Sequence, residues 1–176
     1  MDEPFRRDFD LLAAFTRDPD TNDRSLAIIC TSYAEKYLGE LIKARMKGLN
    51  HDLGVKLFKP DGVLGPLGAR IDVAKALNII EDPVFSDMKV LGSIRNKFAH
   101  NLEISTFDHP DIAKRIDKFQ FKPELLRPVP PDNNFFLKSV EEWTREDRFR
   151  FTAMMICSTL HNGMNSLRFT LRHELR

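Results

Sequence analysis

Cysteine is nearly missing. Cys30 and Cys157 are the only two thiols in 176 residues, and each sits alone among helix-periodic apolar residues. That excludes a disulfide framework and a zinc site built on paired cysteines, and it makes buried free thiols the expected state. Excess charge of one sign is missing too. With 27 basic against 26 acidic residues, the chain lacks the basic surplus that dedicated nucleic-acid binders use against phosphate. No apolar run approaches the roughly 18 to 20 residues that span a bilayer. The opening "MDEPFRRDFD" is acidic and polar rather than a signal peptide, so a cytoplasmic location and no membrane partner are expected. Strand-type alternation is absent as well. Gly62, Gly65 and Gly68 lack both the lysine of a phosphate loop and a preceding strand, so neither cofactor nor metal is expected.

What the sequence has is helical periodicity, and the expected fold is all-α: a single-domain helical bundle with long helices and a proline-rich surface loop. A helix over 4–17 ends before Asp18-Pro19, and residues 1–20 are expected to pack on a main domain of 21–176. "TNDRS" offers N-caps for a long helix over 23–46. Leu26, Cys30, Tyr33, Tyr37, Leu41 and Ala44 line one side of it, while Ile28, Glu35, Ile42 and Met46 line the other. A helix apolar on two sides belongs at the centre of its bundle. "KPDGVLGPLG" reads as a connector to a helix over 66–78. Asp82-Pro83 opens the next helix, which runs to His100, and Asp108 or His109 before Pro110 opens a short one over 110–119. Residues 122–131 hold four prolines and read as an extended loop across the bundle surface. Thr144 and Asp147 form a capping box for a last helix over 144–174. Its stripe is Phe149, Ala153, Ile156, Leu160, Met164, Leu167 and Leu171. Phe151, Met155 and Phe169 fall off that stripe and are expected either to pack under the proline-rich loop or to form part of a homodimer face.

The stretch "IRNKFAHN" carries the chemistry. At about 100° per residue, Val84, Met88, Leu91 and Phe98 share one helix face, and Arg95 falls within about 20° of its centre. A guanidinium there needs a partner, because an unpaired buried charge costs several kcal/mol. Glu35 is the expected partner, in a structural ion pair with Arg95, and Asp72 is the reserve. Asn96 and His100 share a different face, and Arg95 and His100 splay by roughly 140° on a regular helix. As chemistry, Arg95, Asn96 and His100 suit metal-free RNA cleavage: the histidine as general base for a 2′-hydroxyl, the arginine on the phosphate. The helix after Asp82-Pro83 begins with Val84, Phe85, Ser86 and Asp87, which cannot read bases, so sequence-specific DNA binding is not expected.

Two blocks, "LFKPDGVLGPLGARIDVAKALNII" (57–80) and "IRNKFAHNLEISTFDHPDI" (94–112), resemble the mannitol operon repressor family of bacterial regulators. That resemblance implies an all-helical fold without a DNA-reading motif, acting as a non-catalytic regulator through contacts with a protein partner. Arg95-x4-His100 is also similar to the signature of the HEPN superfamily. Its active members are metal-independent endoribonucleases, often toxins, that work as dimers with the motif at the subunit interface; other members are binding or scaffold domains. On that alternative Arg95, Asn96 and His100 would be catalytic and RNA the partner.

Overall fold

Asn22 takes an extended backbone, and its side chain accepts a hydrogen bond from the Ser25 amide at 2.9 Å. That cap starts the central helix α2, which is numbered, like the other six, along the chain. The computed structural model describes residues 3–121 and 140–174, with side-chain surroundings for 6–121, 141–164 and 166. Among these the order is α1 (Glu3–Arg17), α2 (Asp23–Arg45), α3 (His51–Phe58), α4 (Leu67–Ala76), α5 (Val84–His100), α6 (Pro110–Ile116), one 3-10 turn (Val140–Glu142) and α7 (Arg145–Glu174). The described residues contain helices and no strands. No described helix is long and apolar enough to cross a membrane.

Helix α2 touches α1, α4, α5 and α7. Leu26, Cys30, Tyr37 and Leu41 are buried on one side of it and Leu38 and Ile42 on another. Ala44 and Ile28, expected to face inward, are exposed. The core runs on through Met88, Leu91 and Ile94 of α5 to Phe149, Ala153, Ile156 and Leu160 of α7. Phe107 holds these helices together. It meets Phe98 edge-on at 5.5 Å and stacks on Phe149 at 4.5 Å. Such pairs add roughly 0.5–1.5 kcal/mol beyond the area they bury.

Local chemistry sets most helix starts. His109 Nδ1 accepts from the Asp111 amide at 3.2 Å and opens α6. At α7 the capping box is reciprocal: the Asp147 amide donates to Thr144 Oγ1 at 3.1 Å, and the Thr144 amide donates to Asp147 Oδ2 at 2.9 Å. At α5 the start is one residue later than expected. Pro83 is the cap rather than the first helical residue, and Asp82 accepts from the Ser86 hydroxyl at 2.9 Å. Helix α3 was not expected at all. Eight residues, started by Asn50 accepting from the Leu53 amide, are too few for apolar periodicity to register.

The connector 59–66 is a folded knot. A Cβ on Gly65 would come within 2.4 Å of the Lys59 and Pro60 carbonyl oxygens, and one on Gly62 within 2.4 Å of Leu57 O. Arg70 of α4 cinches the knot, donating Nε to Leu64 O at 2.6 Å and Nη2 to Phe58 O at 3.4 Å.

One expectation changes. Phe151 keeps only 2% exposure and meets Trp143 edge-on at 5.2 Å. It is therefore a core ring rather than part of a dimer face, whereas Met155 is half-buried. The side chains of Leu167, Phe169 and Leu171, and the proline-rich loop expected over 122–131, lie outside the described residues.

Candidate functional site

Glu35, on the α4 and α5 side of the central helix, stands between two arginines. Arg95 Nη2 of α5 lies 3.5 Å from Glu35 Oε2, and Arg70 Nη1 of α4 lies 3.5 Å from Glu35 Oε1. The two guanidinium groups are not equivalent. Arg70 is 13% exposed, donates to three backbone carbonyls and covers the Phe58 ring at 5.5 Å. Arg95 is 31% exposed, and its one hydrogen bond among the described residues is the long one to Glu35.

The expectation that Arg95 would sit sealed in an apolar face is therefore corrected. Its backbone shares a face with the buried Val84, Met88, Leu91 and Phe98. The long side chain instead carries the charge out to the edge of that face, where water reaches it. Asp72, the reserve partner, is bound to Lys89 at 2.8 Å.

At that edge an open groove of about 760 Å³ runs between α4 and α5. Arg95, Asn96 and His100 all line it, together with Lys89, Lys97 and Arg115. Asn96 and His100 are exposed, and α5 keeps its helical form through His100, so no fraying brings Arg95 and His100 together. Splayed along one wall, they share a groove without forming a pair.

The groove is held by contacts that the sequence did not advertise. Arg115 of α6 donates Nε to Ser93 Oγ at 2.7 Å, and Nη1 to the Asp111 carbonyl. Lys97 binds Asp111 at 3.1 Å, which holds the Asp111 carboxyl below its ordinary value. Below His100, Arg24 Nη2 collects the carbonyls of Asn101, Leu102 and Ile104 at 3.1, 3.1 and 2.7 Å. Beside it, Asp23 accepts from the Phe107 amide at 2.6 Å. These bonds fix the end of α5, and with it His100, to the start of the central helix. The signals were present as residue types, in the "DR" after Asn22 and the arginine in the last turn of α6. The partners of Asp23 and Arg24, however, lie 77 to 84 residues away, and Arg115 reaches Ser93 22 residues back on another helix.

A second groove of about 740 Å³, between the ends of α2 and α3 and Met164 of α7, is lined by Lys43, Leu49, His51, Val55 and Phe58. Among the described residues no three of His, Cys, Asp and Glu come together as metal ligands would. Both thiols are buried. Burial pushes Cys30 up to about 12 and raises Cys157 well above its ordinary value, so neither is a nucleophile.

No protein-family model and no curated protein matches the sequence. Among solved structures, a chain of the MtlR-HPr complex from Escherichia coli is similar, with a TM-score of 0.61 at 16% sequence identity. The likeness covers 89% of this chain and 98% of that one. At that identity it shows the fold, and the chain has an MtlR-like all-helical architecture.

Proposed function

We propose that this protein is a non-catalytic regulatory protein that acts by binding another protein, with HPr as the model for its partner. The observation that supports this reading most is the likeness to a chain solved in complex with HPr, extending over nearly all of that chain. The resemblance of residues 57–80 and 94–112 to the mannitol operon repressor family points the same way. On this reading the pair of Glu35 and Arg70 is structural, and Arg95, at the rim, serves binding rather than catalysis. The pair ties α4 to the central helix and shapes the surface between α4 and α5. Calorimetric titration with purified HPr tests the reading: saturable binding at one-to-one stoichiometry is expected, and no heat at tens of micromolar would overturn it.

A second reading has one observation in its favour, that Arg95, Asn96 and His100 line a single groove. This is the endoribonuclease alternative, with His100 as general base and Arg95 on the phosphate. Against it stand the splay of the two residues along α5 and the engagement of Arg95 with Glu35.

A further inference from the structure

The α4–α5 groove holds more positive charge than its own acids answer. Lys89, Arg95, Lys97 and Arg115 line it against a single carboxylate, Asp72, in a chain whose net charge is only +1. Both lysines are committed, Lys89 to Asp72 at 2.8 Å and Lys97 to Asp111 at 3.1 Å. The arginines are not. Arg95 places one N–H at 3.5 Å from Glu35, an acid that it shares with Arg70. Arg115 places Nε on Ser93 and Nη1 on the Asp111 carbonyl, which fixes its plane and leaves Nη2 uncommitted among the described residues. Asn96 and His100 add exposed donors to the same wall.

Arginine presents a planar fork that matches phosphate oxygens, and donors held in place before binding lose little entropy on forming such bonds. The groove volume, about 760 Å³, falls in the range that accepts small organic ligands. Its floor of Leu67, Ile71 and Gly92 offers apolar contact to whatever carries the anion. We propose that this groove binds a phosphate monoester, with Arg95 and Arg115 on the phosphate oxygens and Asn96 and His100 as further donors. This site stands whether or not HPr binds, since it needs only the chain itself.

The test is amide NMR of the intact protein with inorganic phosphate, a mononucleotide or phosphoserine, each at ionic strength matched with sodium chloride. Saturable shifts at Gly68, Gly92 and Asn96 are expected. Arg95→Gln should weaken binding by about tenfold, while Lys43→Gln, the same charge change in the other groove, should leave it unaltered. Tighter binding of the mononucleotide would mark a free metabolite as the source of the phosphate. Tighter binding of phosphoserine would mark a modified side chain. Shifts reproduced by sodium chloride, shifts elsewhere in the chain, or equal affinity in Arg95→Gln would overturn the site. So would binding confined to long RNA with none to these small esters. A thermal melt of Arg95→Gln separates lost binding from lost fold.

Discussion

Arg150 and Arg95 carry the same group, and the fold treats them in opposite ways. Arg150 lies in the seam between α1 and α7 with a side chain 7% exposed. It donates to the Thr16 carbonyl, to the Asp18 carbonyl at 3.2 Å and to Glu146 at 2.7 Å. Arg95 lies at the rim of the α4–α5 groove, 31% exposed, with one long contact to an acid that a second arginine also holds. The first is a closed lock whose donors are spent inside the protein. The second keeps donors in reserve, which is what a binding surface requires and a structural pin does not.

Four experiments can break or sharpen that contrast. The largest effect belongs to the seam. Arg150→Ala strands the Thr16 and Asp18 carbonyls, while Glu146, 39% exposed, turns to water. It should cost about 2–4 kcal/mol in denaturant unfolding, and a loss below about 1 kcal/mol would mean that the seam is no lock. Next is the knot that supports the groove's α4 wall. Gly65→Ala drives a Cβ against backbone oxygens at 2.4 Å and should cost roughly 1–3 kcal/mol by overpacking. Gly68→Ala, with nothing within 4 Å, should be neutral or stabilise by up to about 1 kcal/mol. Equal melts for the two would show that the connector yields.

Arg95→Ala should cost less than about 1 kcal/mol, because the charge is partly in water and Arg70 still answers Glu35. A loss like that of Arg150→Ala would restore Arg95 as the core pin that the helix wheel suggested. The smallest effect concerns pH. Asp87 is fully buried and accepts the amides of Gln120 at 2.7 Å and Phe121 at 2.9 Å. Desolvation outweighs those bonds and raises its pKa above the ordinary 3.8. Its folded pKa being the higher, the stability it contributes is fully present below pH 3.8 and is lost as pH rises through the folded value. Asp87→Asn should remove that slope from the pH dependence of unfolding, and an unchanged slope would show that Asp87 does not titrate there.

The contrast also marks how far the sequence could be read. The starts of α2 in "TNDRS" and of α6 at Asp108 or His109, and the Thr144–Asp147 box, were legible because a cap is settled within three residues of chain. The central place of α2 was legible because apolar residues on two sides leave a helix no solvent face. Arg150 was not: it falls between Phe149 and Phe151 on α7, and only the end of α1, more than 130 residues earlier, shows that it is enclosed. Arg95 was found, but its depth was misread, since a helix wheel places the Cβ and not the end of a long side chain. Of the groove, Arg95, Asn96 and His100 stood out as a motif. Lys89 and Arg115 did not, because it is the packing of α4 and α6 against α5 that brings them to it.

That the groove binds and does not cut is tested most directly by incubating mixed single-stranded RNA, in EDTA, with the wild-type protein and with a folded His100→Ala variant. Intact RNA is expected with both. Cleavage by the wild type that disappears in His100→Ala would contradict it and make "IRNKFAHN" an active site.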